Sequence, residues 1–522
     1  MLFMDLVIPQ RALISVYNKE GILPFARFLQ KKGVEIISTG GTGLLLKKGG
    51  VKVRDVAYVT KFPEMMGGRV KTLHPRIHGG ILAVRNNKSH VAQARAHKIP
   101  MIDLVVVNLY PFQETVEELD LSEEKAIEQI DVGGPTLLRS AAKNYHFVTA
   151  VCDIADYELI RKELLKYNGI RFETRKKLAV KVFEKTCRYD QAISEFLRGR
   201  STRRELLNLH YEKVASLRYG ENPQQKAAFF RNPENKDANV TNAKVLQGKQ
   251  LSFNNILDAD SAIELVKEFS RPTAVFVKHN NPCGVASSKT IERAFDLAYD
   301  VDRMAAFGCV IALNRTCSAG VAQYVAKHKL FVEIIAAPHF DKKALKIFSK
   351  RPNLRLLEIG TLVRDTSRRD LRKVAGGILV QTADTYVIQE KDLRCVSKKK
   401  MTKKLITAML FACRVVKHVK SNAVVFANIF GDDEVTTGIG AGQMSRVDAV
   451  FIGCHKGGKR VPGSVMASDA FLPFPDAVDE AHTCGVCAIV QPGGSIRDQE
   501  VIQAADRYGM VMVFTGIRTF KH

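Results

Sequence analysis

Over the first two hundred residues, short apolar runs alternate with longer stretches in which apolar positions recur every three or four residues. This is the pattern of βαβ units wound around a parallel sheet. Residues 12–16 predict a strand, residues 19–32 a helix with Ile22, Phe25, Ala26 and Leu29 on one face, and residues 34–37 the next strand. Later strands are expected over 102–108 and 147–152. The first half is therefore expected to be a doubly wound α/β domain, whose ligands bind beyond the carboxyl ends of the strands. A basic, helix-forming segment follows over 173–212 and runs into LRYGENPQQ (217–225), which has no strand character. The expected boundary falls between 198 and 215, giving a domain over 1–200, a linker over 201–216 and a second region over 217–522. That second region mixes buried-type strands (274–277, 310–313, 424–427, 487–490) with helices (261–269, 405–419), and it is long enough for two packed subdomains. No exact internal repeat stands out, and the only low-complexity tract is a lysine run.

Composition narrows the class. The chain has 522 residues, 46% apolar and 25% charged, as in ordinary folded proteins of two or three domains. No apolar run approaches the length of a membrane span. The amino terminus carries Asp5 within its short apolar run and lacks a basic leader and a cleavage site, so a cytoplasmic protein is expected. Ten scattered cysteines are expected as reduced, mostly buried thiols, with Cys484 and Cys487 forming one isolated CxxC.

The net charge of +25 points to an anionic partner, whether nucleic acid, a membrane surface, or phosphorylated and polycarboxylate small molecules. A nucleic-acid surface would concentrate that charge and interleave aromatic residues. Here it is spread, and the densest run, KKKMTKK (398–404), holds no aromatic residue and reads as a solvated segment. Phosphorylated or polycarboxylate small molecules are the better match.

Several loops carry candidate chemistry. Ser38, Thr39, Gly40, Gly41, Thr42 and Gly43 lie between a predicted strand and Leu44, where glycines and hydroxyls can present N–H and O–H donors to a phosphate. The spacing matches neither a P-loop nor GxGxxG, so a plain glycine turn stays open beside the phosphate cradle. The loop GGRVKTLHP (67–75) sets Arg69 and Lys71 two residues apart among glycines, suited to a phosphate or an oxyanion, with a surface loop of chance charges as the alternative. Asp131 precedes Gly133 and Gly134 at a helix start running to Lys143, and forms a site only if the first two loops lie nearby. In the second half a buried strand ends in Lys278 and His279, followed by Asn280, Asn281 and Pro282. Neighbouring strand residues face opposite ways, so both side chains reach one pocket only if the strand breaks, a break expected from Pro282. Histidine suits proton transfer near neutral pH, and a neighbouring ammonium lowers its pKa, but on composition alone a satisfied structural histidine stands beside the catalytic one. The HxE at His210 and the Pro282–Cys283 pair lack the second cysteine of a zinc deaminase, so no zinc is expected.

Taken in order, STGGT (38–42), GGRVKTLHP, NLYPF (108–112), DVGGPTLLRSAAKN (131–144), LRYGENP (217–223), KHNNPCG (278–284), SNA (421–423), GAGQMSR (440–446) and SDAFLPF (468–474) resemble the bifunctional family that joins AICAR formyltransferase to IMP cyclohydrolase. The resemblance covers essentially the whole chain. It implies a methylglyoxal-synthase-like amino-terminal domain that closes formyl-AICAR to IMP, and a pair of cytidine-deaminase-like subdomains without zinc. The latter move a formyl group from 10-formyltetrahydrofolate to AICAR. It also implies a cytoplasmic homodimer with transferase sites at the subunit interface, no catalytic metal, and room for a structural monovalent cation.

By the same resemblance, His279 takes the proton of the attacking amine, Lys278 assists the oxyanion, and Asn422 orients the histidine or the substrate. Arg218, Tyr219 and Arg518 bind AICAR and its phosphate beside Phe471, and Met304, Phe307, Gly308 and Glu333 line the substrate and folate side. For cyclisation, Lys71 and Tyr110 stabilise developing charge, and Asp131 and Lys143 move protons. Lys19, Ser38, Gly40, Gly41, Thr42, Arg69 and Thr72 bind the nucleotide. The family commonly has a histidine where this chain has Gln224, which removes a titrating group there. Glu333 stands where some members have aspartate and keeps the carboxylate.

Overall fold

The computed structural model describes residues 6–110, 112, 123–198, 206–363 and 368–522. The first five residues of the amino terminus, Pro111 of the NLYPF motif and residues 201–205 of the expected linker lie outside the described residues. The chain divides into two compact units, Met1–Leu207 and Asn208–His522.

The first unit is built on a five-stranded sheet in the order Val53–Asp55, Glu35–Ser38, Arg11–Val16, Leu104–Asn108, Thr149–Val151. Every pairing is parallel. Strands sandwiched between helices must be apolar on both faces, which is why Leu104–Asn108 is buried throughout. Alternate residues feed opposite cores. Leu13, Ile37 and Val105 pack with Leu137, Leu138 and Val182, whereas Ala12, Ile14 and Val106 pack with Phe25, Leu29 and Ile160. The helix Ile22–Lys31 buries the expected Ile22, Phe25, Ala26 and Leu29. Each such large side chain contributes about 1.5–3 kcal/mol of burial free energy. Strand order reverses around Arg11–Val16, and a crevice opens beyond the carboxyl ends of this strand and Leu104–Asn108.

The second unit contains a 12-stranded sheet whose two halves repeat one element order. In the first half, the helix Phe253–Val266 precedes the hairpin Thr273–Lys278 and Asn281–Ser287, and helices then alternate with the strands Cys309–Leu313, Val332–Ala337 and Arg355–Glu358. In the second, Lys403–Val416 precedes the hairpin Val424–Phe430 and Asp433–Gly440, followed by Val465–Ser468, Ala488–Gln491 and Val511–Phe514 with helices between them. The halves join edge to edge through antiparallel pairing of Ala286 with Val435 and Ser287 with Glu434. One face of the sheet packs against the two leading helices, with Ile263, Val277, Phe411 and Val425 in a shared core. The other face carries a separate core for each half.

Several boundaries move for local reasons. The helix expected over 261–269 begins at Phe253, because Ser252 and Asn255 form a reciprocal capping box. The region expected as linker contains the strand Glu212–Leu217, so Leu217 of the LRYGENPQQ stretch is a strand residue, paired with Ala227. Pro282 does not break the strand as expected. It lies inside Asn281–Ser287, opposite Val277 at a register shift, and the chain reverses instead at His279 and Asn280, with φ of 54° and 60°. Positive φ at both central residues defines the hairpin turn that matches strand twist.

All ten cysteines are free thiols, and Cys187 is exposed rather than buried in a core. Among the described residues, no helix is long and apolar enough to cross a membrane and no three His, Cys, Asp or Glu side chains gather as a metal-ligand group.

Candidate active sites in the two units

In the first unit, the glycine loop, the Arg69–Lys71 loop and the Asp131 loop meet around a cavity of about 710 Å³. Their closeness is measurable at the glycines. Gly40 has φ of +53°, and a Cβ there would stand 2.8 Å from Lys71 Nζ. A Cβ on Gly133 would lie 3.1 Å from Thr72 Oγ1, and one on Gly134 would lie 2.2 Å from Asp131 Oδ2. Thr39, Gly40, Gly41 and Thr42 line the cavity at the start of the helix Gly40–Lys48, whose first N–H groups are free for an anion.

The cations around the cavity are held by carboxylates and carbonyls. Lys71 Nζ lies 2.9 Å from Glu64 Oε1, Arg69 pairs with Glu128, and Lys19 donates to the carbonyls of Val16 and Tyr17. Partial burial lowers the pKa of Lys19. Asp131 Oδ1 accepts the Gly134 N–H at 2.8 Å, and the Asp131 N–H donates to Tyr189 Oη at 2.7 Å. Burial raises the Asp131 pKa, opposed by the Gly134 and Gly133 N–H groups. Burial likewise pushes Tyr189 up to about 12. The Tyr110 ring lies tilted against that of Tyr17, centroids 4.0 Å apart, and the Tyr17 N–H donates to Asn108 Oδ1.

Two expected members stand apart from the cavity. Ser38 is fully buried, with its hydroxyl donating to Ile14 O at 2.6 Å, because it is still the last residue of the strand rather than part of the loop. Lys143 is exposed at the far end of Gly133–Lys143 from Asp131, a separation of about 15 Å at the rise of an α-helix. Thr42 does line the cavity, but its hydroxyl is engaged by the Val16 backbone as donor and acceptor.

In the second unit, Lys278 and His279 line one cleft of about 270 Å³, together with Asn281, Gln443 and Lys456. The turn at His279 lets adjacent side chains share it. Asp258 on the helix Phe253–Val266 accepts the Asn280 N–H at 2.7 Å, and the His279 N–H also bonds to it. Burial raises the Asp258 pKa. Lys278 Nζ donates to Phe307 O at 2.8 Å. Asn422 does not bond to His279. Its amide donates to Gln443 O and Met444 O and accepts from Arg446, which fixes the loop that supplies Gln443 to the cleft.

A second cavity, of about 810 Å³, contains Arg218 and Glu333. Arg218 lies over the Tyr219 ring at 4.8 Å, and Glu333 pairs with Arg355 at 2.6 Å. The Phe307 ring lies tilted against that of Phe331, centroids 5.1 Å apart, and the Gly308 N–H donates to Phe331 O. Met304, Phe307 and Phe471 are exposed, as is Arg518, whose guanidinium covers Phe520 at 4.7 Å. Gln224 is exposed, and the neighbouring Gln225 closes the turn by accepting the Asn222 N–H.

Residue reasoning missed Glu64, Glu128, Asn108, Asp258 and Gln443. Asn108 and Gln443 lay within quoted motifs. Glu128 and Asp258 are carboxylates on helices and Glu64 lies in a loop, and nothing in the pattern separates any of them from a solvated residue.

Comparison with known proteins agrees with both halves. A family model described as the AICARFT/IMPCHase bienzyme matches residues 141–456, and one described as an MGS-like domain matches residues 21–136. A protein named bifunctional purine biosynthesis protein PurH from Anoxybacillus flavithermus is 50% identical over 515 residues, covering 98% of this chain and 100% of that protein. Proteins of the same name from Halalkalibacterium halodurans and Bacillus cytotoxicus are each 48% identical with the same coverage. The chain belongs to the AICARFT/IMPCHase bienzyme family.

Proposed function

We propose that the second unit transfers the formyl group of 10-formyltetrahydrofolate to the 5-amino group of AICAR, and that the first unit closes formyl-AICAR to IMP with loss of water. The observation that carries the transferase half is the arrival of Lys278 and His279 at one cleft through the His279–Asn280 turn. As the amine nitrogen bonds to the formyl carbon, His279 takes its proton and the Lys278 ammonium faces the oxyanion. Collapse breaks the bond from the formyl carbon to the folate nitrogen, which leaves protonated as tetrahydrofolate. Arg218, Tyr219, Arg518 and Phe471 hold AICAR, Met304, Phe307, Gly308 and Glu333 line the folate side, and Asn422 acts through the Gln443 loop. No zinc is required for either step.

Cyclisation is intramolecular. The carboxamide nitrogen attacks the formyl carbon, so the unit must hold a reactive conformer and move protons. Gly40, Gly41 and Thr42 hold the phosphate with Lys19, Arg69 and Thr72, Lys71 and Tyr110 face the developing charge, and Asp131 transfers the proton that ends on the departing water. Lys143, at the far end of its helix, serves this site only from a second subunit. The same reading places the protein in the cytoplasm as a homodimer, in which a subunit contact would cover the exposed Met304 and Phe307, 89% and 65% accessible.

Formation of IMP from AICAR and 10-formyltetrahydrofolate by the purified protein tests the whole reading, and no product with fresh cofactor refutes it. His279→Ala is expected to abolish formyl transfer and spare cyclisation of supplied formyl-AICAR, and Lys71→Ala to do the reverse. Equal loss of both activities in each folded variant would contradict two separate sites.

A further inference from the structure

The cavity of the first unit is lined by three cations, Lys19, Arg69 and Lys71, and by three carboxylates, Glu64, Glu128 and Asp131. Its formal charge is therefore balanced, in a chain of net charge +25. Two of the carboxylates stand directly on the cations of the Arg69–Lys71 loop. Glu64 Oε1 lies 2.9 Å from Lys71 Nζ, and Glu128 pairs with Arg69. Asp131 is engaged elsewhere, by the N–H of Gly134.

Backbone geometry brings Glu64 to this position. Met66, Gly67 and Gly68 have φ of 54°, 64° and 95°, and Met65 bridges to Val70, so the chain doubles back between Glu64 and the two cations. A Cβ on Gly68 would come within 2.9 Å of Glu64 Oε1, and one on Gly40 within 2.8 Å of Lys71 Nζ. Carboxylate, ammonium and the first turn of the helix Gly40–Lys48 thus follow one another in contact, and that helix start presents N–H groups suited to a phosphate. Glu128 arrives from another direction, as the last residue of the helix Glu123–Glu128.

A phosphate monoester that takes Arg69 and Lys71 as partners must draw them away from these carboxylates. Holding an unreacting phosphate tightly would favour substrate and product alike without speeding the chemistry, and would delay release of a product that carries the same phosphate. We infer that Glu64 and Glu128 are competing counterions that set the affinity of the first unit for the phosphate of its nucleotide. This is a specificity-determining role, distinct from proton transfer at Asp131, and it rests on the cyclisation reading above.

Inhibition of formyl-AICAR cyclisation by IMP, inosine and inorganic phosphate, measured on the full-length protein, reads this site alone. Glu64→Gln and Glu128→Gln keep the side-chain shape and remove the charge. Each is expected to lower the inhibition constant of IMP about threefold, the scale of one exposed ion pair, and the double variant about tenfold, since the two pairs involve separate cations. Inorganic phosphate should gain alike, and inosine, which lacks the phosphate, should not gain. Unchanged or weaker inhibition by IMP in the double variant overturns the competition and would mark the carboxylates as positioning groups for Arg69 and Lys71. An equal gain for inosine overturns it too, since it would mark a general loosening of the cavity. If the native protein does not cyclise formyl-AICAR, the reading of the reaction falls, and calorimetric titration of inorganic phosphate into the native and double-substituted proteins decides the competition by the same sign.

Discussion

Asp131 shows how a single residue's surroundings set its chemistry. Its carboxylate is half-buried beneath Gly134, where a methyl group on that glycine would collide with Oδ2, and it keeps the N–H of Gly134 as a partner for Oδ1. Burial outweighs these bonds and raises the pKa above its ordinary value of 3.8. If the carboxylate form receives the proton during cyclisation, the rate falls as the pH drops through that raised value, so the acid limb of cyclohydrolase activity is displaced upward from that of an ordinary aspartate. Asp131→Asn is expected to reduce the rate about 100-fold or more and to remove that limb. The same shift acts oppositely on stability. The folded state holds this proton more tightly than the unfolded chain, so the group's contribution is present below the ordinary carboxylate pKa and is lost as pH rises through the raised one. The variant should therefore melt no lower than the native protein at neutral pH. A pH–rate profile with formyl-AICAR, set beside thermal melts, checks both signs, and an unshifted acid limb in the variant would remove Asp131 from the proton path.

At the scale of elements, the strands were legible because a strand buried on both faces must be an apolar run, as Leu104–Asn108 and Thr273–Lys278 are. The turns at the strand ends were less legible. Pro282 looked like the residue that breaks the chain, yet it is accommodated at the register shift opposite Val277, and the reversal falls on His279 and Asn280. Two consecutive left-handed residues without glycine carry no strong sequence signature, and the group that stabilises them comes from elsewhere. Asp258, some twenty residues earlier on the helix Phe253–Val266, accepts the turn's N–H groups. It does not line the cleft and bonds only to the turn that carries His279, so it is a positioning residue. Asp258→Ala is expected to lower kcat for formyl transfer about 10- to 100-fold, the scale of a misplaced catalytic group, and to leave cyclisation intact. Asp258→Asn, which keeps an oxygen for the Asn280 N–H, should recover most of the loss. Equal defects in both variants would point to charge rather than position.

At the scale of the molecule, the second unit repeats one sequence of helices and strands on either side of a short antiparallel seam, a pairing the family resemblance implied but no exact repeat in the residues displayed. The repeat lies in element order and burial. Corresponding strands such as Thr273–Lys278 and Val424–Phe430 share an apolar character that any buried strand has, whereas the turns that follow them, His279–Asn280 and Gly431–Asp432, share no residue. The arrangement also separates residues assigned to one reaction. His279 lines a cleft with Gln443, while Arg518 and Phe471 lie exposed and line neither that cleft nor the cavity around Arg218. A second subunit resolves this if each transferase site takes His279 from one chain and Arg518 from the other. Two inactive variants, His279→Ala and Arg518→Ala, then complement each other when subunits are mixed and allowed to exchange. In the hybrid dimer one site loses both residues and the other keeps both. With equal mixing, half the dimers are hybrid and one of their two sites works, so roughly a quarter of native formyl transfer should return. A site built within one chain would retain a defect in every copy, and mixing would restore nothing.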